Sequence, residues 1–102
     1  MEVYRIRDNE IFDSNFSEMK KDKASQYWVI ASPDEVCQHN GYFKFHNSTV
    51  AECISPRQYP RIEVYDDTNF GVINIIEKDQ LGFAAKELNF YLTKEKLVLV
   101  VK

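Results

Sequence analysis

Tyr59-Pro60-Arg61-Ile62-Glu63-Val64-Tyr65-Asp66-Asp67-Thr68-Asn69-Phe70-Gly71-Val72-Ile73-Asn74-Ile75-Ile76 is the stretch on which the reading of this chain turns. The first run alternates, with Ile62 and Val64 pointing one way and Arg61, Glu63 and Tyr65 the other. That is the pattern of a half-buried strand, and Pro60 is tolerated where a strand opens. The second run carries Phe70, Val72 and Ile76 on one face and Ile73 and Ile75 on the other. A strand apolar on both faces needs cover on both, which places it in the middle of a sheet. Between the runs, Asp66-Asp67-Thr68-Asn69 is turn chemistry, because short polar side chains bond the local backbone and Asn tolerates the left-handed region. The stretch predicts a β-hairpin whose second strand is central.

Outward from that hairpin the chain alternates between strand and helix signals. Val3 to Arg7 alternates as a strand. Asp8 to Ser25 is polar, with Phe12, Phe16 and Met19 at helical spacing, and reads as a short helix or a loop. Tyr27 to Ala31 is a short apolar run, a buried strand, leading directly into Ser32-Pro33-Asp34-Glu35. There Ser32 can cap a helix, Pro33 suits its first position and Glu35 completes a capping box. The carboxylates of Asp34 and Glu35 also suit the positive end of the helix dipole, so the pair reads as structural. This helix should carry Val36, Cys37 and Phe43 inward, and Gly41 either ends it or is tolerated within it. A second helix follows, capped by Asn47 or Ser48, with Val50, Ala51 and Ile54 on its apolar face and Pro56 stopping it. Beyond the hairpin, Glu77-Lys78-Asp79-Gln80 and Gly82 read as a loop. Glu87 to Thr93 then alternates Leu88, Phe90 and Leu92 against Asn89, Tyr91 and Thr93. Lys94-Glu95-Lys96 turns the chain into Leu97-Val98-Leu99-Val100-Val101, a continuous apolar strand.

The expected fold class is α+β: a mixed, largely antiparallel sheet of about five or six strands with two helices on one face, in a single domain over residues 1–102. Two helices cover one face only, yet the last strand is apolar on both. The other layer is therefore expected from another chain, or from the remainder of a longer protein of which this is the N-terminal part.

Composition narrows function by exclusion. The chain has 102 residues, 44% hydrophobic and 28% charged, which is ordinary for a globular domain. A net charge of −3 argues against a nucleic-acid partner and against an anionic membrane surface. No apolar run approaches a membrane span of about 20 residues, and the N-terminal stretch Met1 to Arg7 lacks the apolar core of a signal peptide. Cys37 and Cys53 are too few for a disulfide framework and read as reduced thiols of a cytosolic chain. The set Cys37, His39, His46 and Cys53 contains zinc-ligand types, but Cys37 and His39 fall on nearly opposite sides of a helix and no Cys-x-x-Cys or His-x-x-x-His pairing occurs. No local signature joins a cysteine nucleophile to a base, and Asp66-Asp67 is already explained by the turn. Gly41, Gly71 and Gly82 are isolated, so no phosphate-binding loop exists. The expectation is a protein that is not an enzyme.

Gln58-Tyr59-Pro60-Arg61-Ile62-Glu63-Val64-Tyr65, with its acidic turn and apolar strand, resembles the Gln-Arg-Pro-Lys-x-Glu-x-Tyr signature of CorA-type magnesium transporters, in their N-terminal cytoplasmic domain. Glu87 to Lys94 with Leu97 to Val101 resembles that family's next hairpin, and Trp28-Val29-Ile30-Ala31-Ser32-Pro33 its strand and helix start. The resemblance spans Trp28 to Lys102. Tyr59 stands where the signature has arginine, Thr68-Asn69 replaces a more aromatic turn exit, and Val50-Ala51-Glu52 replaces an acidic pair at the preceding helix end. The long helices, two membrane spans and Gly-Met-Asn pore motif are absent, so this polypeptide cannot conduct an ion by itself.

The resemblance implies an α/β/α funnel domain on the cytoplasmic side of the membrane, regulating a Mg2+ transporter that assembles as a homo-pentamer. Glu52 matches a family acidic position implicated in Mg2+ sensing, and it is the one candidate metal residue. Mg2+ keeps several waters and takes one or two carboxylates, so a Glu52 site would be completed by a later part of the chain and by a neighbouring subunit. Mg2+ binding by these residues alone is then expected to be weak or absent. A stand-alone cytosolic interaction domain, binding a partner through an open sheet face, is the alternative.

Overall fold

The computed structural model describes residues 1–55 and 59–102. Seven strands form one sheet: β1 Glu2–Arg7, β2 Glu10–Ser14, β3 Gln26–Ala31, β4 Arg61–Val64, β5 Asn69–Asp79, β6 Gly82–Leu92 and β7 Lys96–Val101. Their order is β2-β1-β3-β7-β6-β5-β4. Every pairing is antiparallel except β3 with β7. The four helices are short: α1 Phe16–Lys21, α2 Pro33–Gln38, α3 Asn40–Phe43 and α4 Asn47–Ile54. The α+β class and the mixed, largely antiparallel sheet are as expected; the strand and helix counts exceed the expectation.

The extra strand is β2, in the polar stretch where a helix or loop was expected. Asp8 and Asn9 both adopt positive φ, at 53° and 64°. This is a two-residue hairpin turn of the kind that matches strand twist and favours Asp and Asn. The helix signal in that stretch is real but starts later, where the Asn15 side chain accepts the Glu18 N–H at 2.8 Å and caps α1. The Ser32 capping box forms as read, with Ser32 Oγ accepting from Glu35 N–H and the Glu35 carboxylate accepting from Ser32 N–H.

The hydrophobic core lies on one side of the sheet. Tyr27, Val29, Phe70, Val72, Val98 and Val100 from the strands meet Met19, Val36, Val50 and Cys53 from the helices. Sheet position departs from expectation here: β7 is the central strand, and β5 lies next to the edge. Only the first part of β5 is buried, because β4 and β7 flank the β5–β6 pair along part of its length. The expected loop at Glu77 to Gly82 is instead the far end of this hairpin. Its strands run 11 residues each, and the turn at Gln80-Leu81 is closed by Asp79 Oδ1 accepting from Leu81 N–H at 2.8 Å.

Four elements present other faces than the sequence reading expects. In α2, Val36 is buried but Cys37 is exposed, since a six-residue helix presents one narrow stripe to the sheet. In α4 the buried residues are Thr49, Val50 and Cys53, while Ala51 and Ile54 are exposed. His46, not Asn47 or Ser48, caps that helix; Pro56 and Gln58 lie outside the described residues. In β4 the apolar residues face away from the helices, Ile62 at 66% exposure and Val64 at 78%. β6 does the same: Asn89 and Tyr91 are buried, and Leu88, Phe90 and Leu92 lie on the other face.

That other face carries no helix among the described residues. Trp28, Leu99, Phe90, Ile73, Ile62 and Val64 follow one another across it from β3 to β4. Gly71 lies on this face opposite Phe90, whose ring folds over it so closely that a Cβ at Gly71 would stand 2.1 Å from the ring. Gly71→Ala should therefore destabilise the domain by about 1–3 kcal/mol in urea titration. Phe90→Ala should relieve most of that penalty, so the double variant should show a clear coupling; strictly additive effects would contradict the packing described.

Candidate functional site

The sequence-predicted metal residue, Glu52, lies in the last turn of α4, a helix with no basic residue in that turn. A carboxylate is unfavourable there, because the helix C-terminus carries partial negative charge. The compensating charge comes from β4. Arg61 extends from the helix-facing side of that strand and its guanidinium bonds the Glu52 carboxylate. The same guanidinium donates through Nε to Glu63 Oε1 at 2.7 Å. Arg61 and Glu63 stand two apart on one strand and so share a face.

The chain of contacts continues. Tyr65 Oη donates to Glu63 Oε2 at 2.7 Å, and the His46 ring stacks on Tyr65 with centroids 5.0 Å apart. His46 Nδ1 and Ser48 Oγ are 2.7 Å apart, at the N-terminal end of α4. The network thus ties both ends of α4 to the edge strand β4. Arg61 and the Tyr65 hydroxyl hold the Glu63 carboxyl below the usual glutamate range. The bond to Glu63 raises the guanidinium of Arg61 in turn.

Beneath α4 lies a second, buried group. Tyr91 Oη donates to Thr49 Oγ1 at 2.9 Å, Thr49 Oγ1 donates to the His46 carbonyl at 2.6 Å, and Cys53 Sγ is 3.4 Å from Tyr91 Oη. Burial pushes the Tyr91 phenol and the Cys53 thiol upward, so Cys53 stays a neutral thiol. Phe45 stacks flat on Tyr91 at 3.7 Å between centroids. These groups satisfy one another and join β6 to α4.

The other candidates are not brought together. Cys37 is exposed and Cys53 buried, while His39 packs on Phe16 and His46 on Tyr65. Among the described residues no group of three or more His, Cys, Asp or Glu side chains could hold a metal ion. Asp66 and Asp67 occupy the β4–β5 turn, closed by Tyr65 N–H donating to the Thr68 carbonyl at 2.9 Å. The residues around Glu52 do not fit a Mg2+ ion as they stand, because a guanidinium occupies the carboxylate that would bind it. Sequence reasoning placed Arg61 on the polar face of its strand but did not pair it with Glu52. The signal was a glutamate at a helix end followed, nine residues on, by an arginine on the polar face of a strand.

No family model and no curated protein matches the chain. Among solved structures, the fold is that of a CorA soluble domain. The complete CorA magnesium transporter from Methanocaldococcus jannaschii superposes with a TM-score of 0.75 at 9% identity, over 100% of this chain and 32% of that one. The soluble domain of CorA from the same organism superposes with a TM-score of 0.63 at 11% identity, over 98% of this chain and 40% of that one. The chain thus spans about a third of the transporter's length and two fifths of that soluble domain. At such identity the likeness establishes the fold. No helix among the described residues is long and apolar enough to cross a membrane.

The depressed Glu63 carboxyl sets a pH dependence. Its folded pKa lies below the ordinary glutamate value of 4.5, so the unfolded chain binds the proton more readily. The associated stability is complete above 4.5 and is lost as pH falls through the folded value. Glu63→Gln should cost about 0.5–1 kcal/mol at neutral pH. In urea titrations the gap between wild type and Glu63→Gln should narrow in acid; a gap independent of pH would contradict the ion pairing.

Proposed function

We propose that this chain is the cytoplasmic regulatory domain of a CorA-like divalent cation transporter, lying beneath the membrane and unable to transport by itself. The observation that carries the reading is the superposition of the whole chain on part of a CorA subunit, together with a sheet covered on one face only. The accessible surface of 7199 Å2 exceeds that of a folded chain of 12.0 kDa, about 6,000 Å2, by roughly 1,200 Å2. The excess is larger than the roughly 800 Å2 that each partner commonly buries in a stable interface. In this reading the remainder of the transporter subunit packs on the open face, and the parent protein is a homo-oligomer, a pentamer by the family resemblance. The same apolar face, which suits a buried layer, argues against a nucleic-acid partner.

Mg2+ is the regulatory or transported ion of the parent protein. The domain has no enzymatic role, and no turnover is expected with ester, phosphate or peptide substrates. A robust rate abolished by Cys37→Ala or His39→Ala would overturn that part of the reading.

The second reading, a stand-alone cytosolic interaction domain, is favoured by the same exposed face and differs in what covers it. The reading frame separates the two. Codons running past Lys102 into long helices and two apolar spans are expected, and a stop directly after Lys102 would contradict the transporter reading. Held at 102 residues, the protein should associate through its open faces in sedimentation velocity. Leu99→Lys should shift it towards monomer with its circular dichroism unchanged. A wild type that stays strictly monomeric at high concentration would count against an open apolar face.

A further inference from the structure

We propose that the far end of the β5–β6 hairpin is an arm that pairs with a second copy of this chain, β6 edge to β6 edge about a two-fold axis at Ala84. The inference is separate from the transporter reading, since a two-fold contact between arms is not the contact that closes a five-fold ring.

β5 and β6 pair with each other from Asn69 and Leu92 out to Asp79 and Gly82. β4 flanks β5 only as far as Val72, and β7 flanks β6 only from Leu88 onward. Residues 73–79 and 82–87 therefore form a two-stranded ribbon with neither edge paired among the described residues, about 20 Å long at the rise of a strand. The molecule measures 45 × 30 × 22 Å, and its radius of gyration of 14.5 Å exceeds the roughly 13 Å of a compact chain of this length. The ribbon holds large apolar side chains in water: Ile76 is 71% exposed, Phe83 75% and Leu81 99%. Ile76 and Phe83 share the parity of the buried Phe70 and Val72, so they stand on the helix side of the sheet. A layer on the open face would not cover them, and their exposure shows that α1 to α4 do not. A ribbon of two strands is marginal in water, whereas three or more strands with an apolar face are stable.

The chemistry of the ribbon selects its own copy. It carries both signs, Glu77, Asp79 and Glu87 with Lys78 and Lys86, and so favours neither a strongly acidic nor a strongly basic partner. Residues directly opposite in an antiparallel pair share a face, so a two-fold pairing of one strand with itself must be centred on a residue. Centred on Ala84, the β6 edges set Ala84 against Ala84 and Phe83 against Ala85 twice. These are apolar cross-strand contacts, and Ile76, which pairs with Ala85 on its own arm, widens the patch. On the reverse face Lys86 meets Gly82 of the second copy. The glycine has no side chain to keep the lysine from Asp79, its own partner on β5. No like charges stand opposite each other. The β5 edge suits this less well: centred on Ile76, it sets Ile75 against Glu77 and Ile73 against Asp79. Part of the roughly 1,200 Å2 by which the accessible surface exceeds that of a compact chain lies on the ribbon. A standard interface takes about 800 Å2 from each partner, so a dimer held by the arms alone is expected to be reversible.

The test uses the Leu99→Lys protein, in which association through the open face is suppressed, with Cys37→Ser added to remove the exposed thiol. Sedimentation velocity should show a concentration-dependent dimer. Phe83→Lys with Ala85→Lys places lysine opposite lysine twice and should weaken that dimer by about tenfold or more. Phe83→Glu with Ala85→Glu should do the same, and mixing the two variants should restore pairing, with circular dichroism unchanged throughout. Register is read by crosslinking: Ala84→Cys should join two chains on mild oxidation, because only at the axis do identical positions come within disulfide reach, and Ala85→Cys should not. The crosslink reads equally in a chain that keeps Leu99, should Leu99→Lys fail to fold. A Leu99→Lys protein that folds and stays monomeric at every concentration leaves the arm to some other chain and overturns the proposal. So does a dimer indifferent to the charge pairs, or one that crosslinks through Ala85→Cys and not through Ala84→Cys.

Discussion

The alternation of β7 governs the rest of the structure. Val98 and Val100 are fully buried against the helices, and Leu97, Leu99 and Val101 point the other way. As the central strand, β7 passes this division to β3 on one side and β6 on the other. Side-chain period in a strand is two, so once β7 is fixed every paired residue is committed to one face. The helices α1 to α4 are enough for one layer. Everything apolar on the opposite parity is left for a layer that α1 to α4 do not provide.

That division explains why β4 and β6 reverse the simplest reading of their patterns. Alternation identifies which residues share a face. It does not identify which face the helices cover. In β6 the helix side holds Asn89 and Tyr91, because Tyr91 supplies both a stacking surface for Phe45 and a hydroxyl for Thr49. In β4 the helix side holds Arg61 and Glu63, because Glu52 and Tyr65 are there to satisfy them. The apolar residues Ile62, Val64, Leu88 and Phe90 thereby join one continuous open surface. A sheet meant to be buried on both sides permits polar networks on one of them, provided each member has a partner.

Local chemistry was legible in the sequence and nonlocal chemistry was not. The Ser32 capping box, the Asp66 to Asn69 turn and the strands β1, β3 and β7 follow from short-range signals. Asp8-Asn9 was an equally short-range signal for the β1–β2 hairpin, masked by the helical spacing of Phe12, Phe16 and Met19. The true length of the β5–β6 hairpin was hidden because Glu77 to Gly82 has loop composition while still pairing strand to strand. At the candidate site, Glu52 was singled out through a family resemblance, and its partner was not. Pairing Glu52 with Arg61 requires knowing that α4 and the edge strand lie side by side, which only the packed sheet supplies. The CorA likeness seen in the residues reappears in the fold, where 9% identity coexists with a TM-score of 0.75. The fold persists where side-chain identity does not.

The central claim is that adjacent residues of β7 live in two different environments. Methyl resonances of Val98, Leu99 and Val100, recorded in dilute solution with a soluble paramagnetic agent, test it directly. The account predicts strong relaxation enhancement at Leu99, and at Leu88 on the same face of β6, with almost none at Val98 and Val100. Equal protection of Leu99 and Val98 at concentrations where the protein is monomeric would contradict it.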